Sequence, residues 1–426
     1  MSHTLAEKIL LEHSDCERLR PGDAAFVRCD LVMANDVSGP GAFTAFEEMR
    51  AEEVFDRSKV VMVADHFVPS KDARSAQLQQ VLKRWSRKHG VFHYDQGRGG
   101  IEHTLLIEEG WIAPGDVVAG GDSHSCTYGA LGAFGTGLGS TDIAGCLALG
   151  GFWQVVPGTI RVELVGGLGR WLAGKDIILA VIAALGVAGA TNKVLEFTGD
   201  GVAGLSIEDR IAVSNMAVEA GSETGLFPAD HVTSAYLEGR ARHASSWFGE
   251  TSDPDAGFVS ELRLDLAALT PLVARPHSPG NITSVTETVG TRIDQVYIGN
   301  CANGTMTDLR QAAEVFRGRV VHPDTRAIIV PATMSIYRKA LAEGLLDVFA
   351  EAGAVVSSPT CGACFGGHMG VLGPGEVALT TTNRNFKGRM GSGSSSVYIA
   401  NAYVAACAAV AGEIVNPADL LSGPET

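Results

Sequence analysis

Short apolar runs alternate with amphipathic segments along most of this chain. Predicted strands cover residues 59–64, 116–119 and 158–165, and predicted helices cover 72–89 and 174–185. Alternation of this kind predicts an α/β fold with largely parallel sheets. Ligands bind such sheets at the carboxyl ends of the strands. The residues that follow a predicted strand are therefore the first candidates for a functional site.

Length and charge narrow the class of protein. A chain of 426 residues predicts two or three lobes, and its net charge of -15 disfavours binding to nucleic acid or to an acidic membrane surface. The N-terminus lacks the apolar core of a signal peptide, and the longest nonpolar run, residues 177–190, is too short to span a bilayer. Eight scattered cysteines suit a reducing compartment. We expect a cytoplasmic protein without nucleic-acid or membrane partners.

Three cysteines follow predicted strands. Cys361 and Cys364 lie in the glycine-rich segment 359–370, and Cys301 follows the strand 292–298. The pair alone is compatible with a redox dithiol or with a zinc site completed by Cys301 and His368. It is equally compatible with an iron-sulfur cluster bound by three thiolates, which would leave one iron without a protein ligand. The spacing leaves these three alternatives open.

Acid and base side chains also follow strand ends. Asp65 and His66 come directly after the strand 59–64, and His103 lies in the sequence G-G-I-E-H. Asp122 and His124 follow the strand 116–119, where they could act as a base and the group that orients it. A single histidine at such a place could be an ordinary core residue, but three in comparable settings indicate acid/base chemistry.

Further polar residues extend the candidate site. Glu196 lies within the predicted strand 191–199, where a buried carboxylate needs a partner, and His103 is the partner we consider; an exposed edge strand is the alternative. Asn383, Arg384 and Arg389 follow another strand and could bind carboxylates, unless they are ordinary surface residues. Together these residue types predict a metal-assisted reaction on a small polycarboxylate.

The glycine-rich run at residues 129–142 does not match a dinucleotide-binding fingerprint. Gly135, Gly137 and Gly139 are followed by Ser140, and no acidic residue follows a second strand at the expected distance. We interpret this run as close packing between a loop and a helix.

Seven separated motifs resemble, in order, those of the aconitase superfamily, and they span essentially the whole chain. More narrowly, the chain is similar to the large subunits of 3-isopropylmalate dehydratase and homoaconitase, in their archaeal-type branch. The motifs are Asp65-His66, G-I-E-H ending in His103, G-D-S-H around His124, Glu196, G-N-C-A-N-G, C-G-A-C-F-G-G-H-M-G and N-R-N-F-K-G-R.

The resemblance implies three α/β/α lobes, covering residues 1–158, 159–284 and 285–426, packed around one [4Fe-4S] cluster per subunit. The swivelling fourth domain of the family has no counterpart after Pro417. The implied cluster ligands are Cys301, Cys361 and Cys364. Asp65 and His66 are implied to assist departure of the hydroxyl. The groups implied to orient the reaction near the iron are His103, Asp122, His124 and Glu196. The implied substrate-binding residues are Asn35, Asp36, Ser123, Asn383, Arg384 and Arg389.

The implied reaction is a reversible dehydration of 2-isopropylmalate, with homoaconitate or a substituted malate such as 2,3-dimethylmalate as the alternative substrate. The base in this family is a serine of the swivelling domain, so the resemblance implies a separate small subunit that also selects the substrate. An RNA-binding regulator and a zinc-stabilised scaffold are rival interpretations. One departure from the family pattern is the sequence Asn300-Cys301-Ala302-Asn303, where Ser-Cys-Thr-Asn is usual.

Overall fold

The first lobe of the computed structural model, which describes residues 2–422, is built on a five-stranded parallel sheet. Its strand order is β4-β3-β2-β5-β6, and β1 and β7 form a separate antiparallel ribbon. The apolar stretch 24–35 thus forms two strands that belong to two different sheets. The strands are β1 Ala24–Arg28, β2 Leu31–Asn35, β3 Val60–Val63, β4 Phe92–Tyr94, β5 Val117–Gly120, β6 Phe134–Gly137 and β7 Gly151–Val155. The helices are α1 Leu5–Glu12, α2 Gly39–Glu48, α3 Ala73–His89, α4 Glu102–Glu108 and α5 Ser140–Leu149.

The second lobe is a four-stranded parallel sheet of order β10-β9-β8-β11. Its helix α6 has the bounds expected from the sequence, because residues 177–185 are apolar throughout and the next residue is a glycine. The strands are β8 Gly158–Val165, β9 Lys193–Thr198, β10 Thr224–Leu226 and β11 Ser260–Asp265. The helices are α6 Gly174–Leu185, α7 Ile207–Asn215 and α8 His231–Leu237.

The third lobe has a seven-stranded sheet of order β13-β12-β18-β17-β14-β15-β16. Since β12 and β13 belong to this sheet, the sequence-based lobe boundary at residue 284 cuts through it, and we place the start of the lobe before Leu272. The strands are β12 Leu272–Ala274, β13 Ile282–Ser284, β14 Gln295–Ile298, β15 Arg326–Ile329, β16 Val355–Val356, β17 Val377–Thr380 and β18 Ser396–Ile399. The helices are α9 Met306–Phe316, α10 Met334–Ala342, α11 Leu345–Glu351, α12 Ala402–Ala411 and α13 Pro417–Leu421.

Two glycines show how the fold positions the loops at its centre. A Cβ atom at Gly137, at the end of β6, would lie 2.6 Å from the carbonyl oxygen of Asp122. Gly299, which follows β14, has φ +124°, and a Cβ atom there would lie 1.9 Å from the carbonyl oxygen of Val330. Side chains at these positions would displace the loops that carry Asp122 and Cys301. The glycine-rich run thus packs strand and helix against a loop, as expected from the sequence.

Within residues 2–422, no helix is long and apolar enough to cross a membrane.

Candidate active site

The predicted polar residues converge from two lobes on one region. The carboxyl ends of β2, β3 and β5 supply the acid and base groups, whereas the loops after β14 and β17 supply Cys301 and Arg384. Contacts across this region connect the lobes directly: the backbone N–H of Cys361 donates to the carbonyl of Asp65 at 2.8 Å. The arrangement follows from the parallel sheets, in which strand ends of one sense lie at the same edge.

Asp65 and His66 form a tight buried pair. Nδ1 of His66 lies 2.6 Å from Oδ1 of Asp65, and the second oxygen of Asp65 accepts the backbone N–H of Glu102 at 2.9 Å. Burial would lower the pKa of His66, but the charge of Asp65 and its hydrogen bond outweigh burial and raise that pKa well above its usual value. The geometry favours a positively charged imidazole whose Nε2 is free of Asp65.

Asn35 and Asp36, expected to bind substrate, lie behind this pair. Both side chains are buried, and the carboxylate of Asp36 accepts the backbone N–H groups of Asp65, His66 and Phe67 at 2.9–3.2 Å. The Asn35 amide donates to Glu102 Oε1 at 2.9 Å. In the structure these two side chains orient the loop after β3.

The carboxylate of Asp122 lies beside all three predicted histidines. Its Oδ1 lies 2.9 Å from Nε2 of His103 and accepts the backbone N–H of His124 at 2.8 Å, and its Oδ2 lies 3.8 Å from Nε2 of His66. Burial would raise the pKa of Asp122, but the hydrogen bonds with His103 and His124 lower it well below its usual value. Asp122 is therefore a stable carboxylate shared by imidazoles.

Glu219 is a site residue that the sequence analysis missed. Its Oε1 lies 3.1 Å from Nε2 of His124 and accepts Nε of Arg384 at 2.6 Å. A second nitrogen of Arg384 donates to the Ser123 hydroxyl at 3.0 Å. Burial acts to raise the pKa of Glu219, but His124 and Arg384 outweigh it and lower that pKa. The carboxylate fixes an imidazole and a guanidinium in one geometry.

Glu196, expected beside His103, has other partners. Both of its carboxylate oxygens accept the hydroxyl of Ser252, at 2.7 and 2.8 Å. It lines a cavity of about 370 Å³ with Thr198, Gly199 and Phe258, away from the three histidines. Its buried position on β9 was correctly inferred, but its role as a partner of His103 was wrong. Burial raises its pKa, as expected for a carboxyl without a cationic partner in hydrogen-bond contact.

The cysteines lie beside these groups. Cys301 and Cys364 are buried and Cys361 is partly buried. A hydrogen bond with Cys361 and the charge of Arg389 favour the thiolate of Cys364, so its pKa lies below its usual value. Nε of Arg389 also donates to the Cys364 carbonyl at 3.0 Å.

The spacing of the three sulfurs distinguishes the alternatives left open by the sequence. They do not all lie within 4.8 Å of one another, whereas one tetrahedral zinc ion would place its sulfur ligands about 3.8 Å apart. Among the described residues, His368, the fourth zinc ligand considered, belongs to no group of ligand atoms that all lie within 4.8 Å of one another. Thiolates that bind separate irons tolerate a wider spacing. The donor set fits a cluster better than a single ion.

Side-chain amides surround Cys301. Its sulfur accepts Nδ2 of Asn215 and Nδ2 of Asn383, each at 3.2 Å. Asn383 also donates to Oδ1 of Asn215 at 2.6 Å, and its own Oδ1 accepts the amide of Asn300. Asn383 was expected to bind a carboxylate, but it is fully buried and contacts the sulfur instead. N–H donors of this kind stabilise a thiolate ligand.

Asn300 occupies the place of the family's usual serine. Its Oδ1 accepts the backbone N–H of Ala302 at 3.0 Å and that of Asn303 at 2.6 Å. The amide side chain of Asn300 thus holds the loop around Cys301, and residue 302 has no hydroxyl group that could contribute. Cys126, a further nearby thiol, contacts the backbone carbonyl of Asn215 at 3.3 Å and is fully buried, and we interpret it as a structural residue.

Comparison with known proteins identifies close relatives. The model of the "Aconitase family (aconitate hydratase)" matches residues 7–292 and 285–412. The "3-isopropylmalate dehydratase large subunit 2" of Rubrobacter xylanophilus is 68% identical, covering 100% of both chains. Proteins named "3-isopropylmalate dehydratase large subunit" from Nitratidesulfovibrio vulgaris and Desulfitobacterium hafniense are 49% and 48% identical, covering 99% of this chain and 100% of theirs. Among solved structures, aconitase X of Thermococcus kodakaraensis has a TM-score of 0.49 at 12% identity, covering 89% of this chain and 88% of that one.

Proposed function

The chain belongs to the aconitase family, and we propose that it is the large, catalytic subunit of a 3-isopropylmalate dehydratase, a hydro-lyase of leucine biosynthesis. It removes water from 2-isopropylmalate to give isopropylmaleate, which then takes up water with the other regiochemistry. One observation carries the proposal: three cysteines, two carboxylate-paired histidines and an arginine converge where the three lobes meet. The full-length relatives supply the substrate class.

Cys301, Cys361 and Cys364 would hold a [4Fe-4S] cluster, as members of this family do. The fit rests on the donor set: the three cysteines lie in loops that follow β14 and β16 of one sheet, and the Cys301 sulfur accepts two amide N–H groups. When bound, the cluster supplies an iron that acts as a Lewis acid on an oxygen of the substrate.

His66 is the proposed proton donor for the departing hydroxyl. It is held in one orientation by Asp65 at 2.6 Å, and its raised pKa keeps it protonated at neutral pH. Its Nε2 lies 3.8 Å from Oδ2 of Asp122, beyond hydrogen-bond distance, so a substrate oxygen placed beside Nε2 can accept its proton. A hydroxyl that leaves from this position would receive its proton from Nε2 and become water.

Arg384 is the proposed anchor for a substrate carboxylate, together with Arg389 and Ser123. Glu219 fixes the Nε edge of Arg384, so the opposite edge of the guanidinium can face a ligand. Holding a substituted malate by its carboxylates orients the carbon-oxygen bond that breaks relative to His66.

A separate small subunit completes the proposed enzyme. The relatives are named large subunits, which implies a smaller partner. We expect that partner to bring the serine base and the loop that selects the substrate side chain, so homoaconitate or a dimethylmalate stays an alternative substrate. A cytoplasmic location also stays a prediction.

Anaerobic reconstitution tests the proposal. The chain, purified without oxygen and loaded with iron and sulfide, is mixed with the small subunit encoded beside it, and isopropylmaleate formation from 2-isopropylmalate is followed by absorbance. We expect turnover from the mixture and not from either chain alone. Turnover of homoaconitate in preference would shift the proposal to the alternative. Zinc in place of iron, with no acid-labile sulfide, would reject it.

Replacing Glu219 and Glu196 one at a time tests which carboxylate belongs to the active site. The structure indicates Glu219, whereas the sequence analysis indicated Glu196. Glu219→Gln removes the charge that fixes His124 and Arg384, so we expect kcat/KM to fall about 10- to 100-fold, as for other groups that orient ligands near a metal site. Glu196→Gln, the matched control in another cavity, should leave kcat/KM within about twofold. Steady-state kinetics of both variants give the two values of kcat/KM. A larger loss of kcat/KM in Glu196→Gln than in Glu219→Gln would show that Glu196 is the active-site residue.

A further inference from the structure

Lys175 is a lysine with no exposed surface. It lies in the first turn of α6, and its side chain is fully buried. Its Nζ donates to the Sδ of Met216 at 3.0 Å and to the backbone carbonyl of Thr382 at 3.1 Å. Neither acceptor is charged. A buried ammonium group is costly unless a negative charge compensates it.

Lys175 has no carboxylate in salt-bridge contact among the described residues, although a carboxylate is the usual partner of a buried ammonium group. Among the residues that the structure describes, no carboxylate lies within 4.0 Å of Lys175. The two carboxyl groups whose charge acts on Lys175, Asp308 and Asp176, have hydrogen-bond partners of their own. Asp308 accepts from Asn303 and Thr305, and Asp176 accepts from Asn401 and from backbone N–H groups. Burial raises the pKa of each to about 6, and neither is in hydrogen-bond contact with Lys175, whose Nζ donates to Met216 and Thr382.

The remaining negative groups that act on Lys175 are cysteines of the proposed cluster. The charges of Asp308, Cys301 and Cys364 favour the ammonium form of Lys175, whereas burial disfavours it and lowers its pKa to about 8. The carbonyl that Lys175 holds belongs to Thr382, and the next residue, Asn383, donates its amide to Cys301 at 3.2 Å. Lys175 thus acts on the proposed cluster ligands in two ways, through its charge and through its hydrogen bond to Thr382.

We propose that Lys175 is a positioning residue for the cluster: its ammonium group is the countercharge for the loaded cluster and its thiolates, and it fixes Thr382 so that Asn383 contacts Cys301. The inference deepens the proposed function and rests on it. Lys175 touches neither the substrate nor the reacting atoms. Its effect is electrostatic, since a positive charge in a medium of low dielectric favours the more negative, reduced state of a neighbouring redox group.

The reduction potential of the cluster tests this assignment. Lys175→Met preserves an unbranched side chain of similar length and removes the charge, so the cluster should become harder to reduce. We expect the equilibrium constant for one-electron reduction to fall at least tenfold, which is about 59 mV. Lys175→Arg should stay near the wild-type potential. Lys59→Met, which removes a half-exposed lysine paired with Asp30, is the matched control and should not move it.

Thermal unfolding of cluster-free and cluster-loaded protein provides a second readout. Without the cluster, Lys175→Met should be as stable as wild type or more stable, because an uncompensated buried charge is gone. The gain in Tm on loading should be smaller than in wild type. An unchanged potential with equal destabilisation of both forms would mean a packing role and overturn the inference.

Cluster content separates the remaining outcomes. If Lys175→Met retains no iron, Lys175→Gln takes its place in the redox titration. Loss of iron from both neutral variants and not from Lys175→Arg supports a charge requirement, and loss from all three contradicts it. If wild-type protein itself holds no iron and sulfide, the proposed function fails, which is distinct from failure of this inference alone.

Discussion

Replacing Cys301 by serine is expected to remove most of the activity together with the iron. The sulfur of Cys301 accepts two amide N–H groups in a fully enclosed position, so the serine oxygen, a harder and shorter ligand, cannot reproduce the contact. A Lewis-acid metal is worth several kcal/mol of transition-state stabilisation, and about 1.36 kcal/mol corresponds to tenfold in rate. We therefore expect kcat to fall at least about 10³-fold in the enzyme assembled without oxygen.

Cys126→Ser is the control for this experiment. Cys126 is also buried and close to His124, but its sulfur contacts a backbone carbonyl, so the variant should keep its iron and sulfide and most of its activity. Iron and sulfide analysis, visible absorbance and circular dichroism are measured on both variants. A Cys301→Ser protein that folds, lacks the cluster and still turns over substrate would show that the cysteines are structural.

The strands and their polar ends could be predicted because each depends on local sequence. The run Lys59 to Ala64 is apolar and β-branched and is followed by Asp65 and His66, so both the strand and its functional end are visible without tertiary information. Helix α3 begins one residue after Asp72, which caps it, and ends at the αL glycine Gly90, as its sequence predicts.

Glu219 could not be predicted from local signals. It lies just past α7, in the short 3₁₀ helix Ala217–Ala220, where a glutamate suggests an exposed face. Only the fold brings it to His124 and Arg384, which are distant in sequence. Asn215 and Glu219, four residues apart within an otherwise apolar stretch, were the available hint, since residues at this spacing share a helix face.

Glu196 shows the opposite error. A carboxylate in a buried strand does need a partner, but the sequence does not say which. The partner is the hydroxyl of Ser252, from the irregular segment after α8. The lobe boundary at residue 284 was hard to place for a similar reason: residues 274–285, rich in proline and glycine, include β13, and its pairing with β12 is not visible in the local sequence.

Replacing His66 by alanine is the second large expected effect. The ring is the proposed proton donor, held by Asp65 at 2.6 Å and packed against Phe365 with ring centroids 4.9 Å apart. Positioned proton transfer contributes about 10²- to 10⁴-fold to a rate. We expect kcat to fall by that factor while iron and sulfide content stay at the wild-type level. A variant that loses its cluster in parallel with its activity would indicate a structural role for the ring.

The pH profile of Asp65→Asn tests why His66 is protonated. In wild type, Asp65 raises the pKa of His66 well above 6.5, so the protonated ring should persist as the pH rises through neutrality and be lost only at the raised value. Without the Asp65 charge, the effect of burial is less offset and the pKa of His66 falls. The alkaline limb of kcat/KM should then move to lower pH, and each unit of movement corresponds to about 1.36 kcal/mol. An alkaline limb that does not move, in an enzyme slowed at every pH, would mean that Asp65 orients the imidazole without setting its charge.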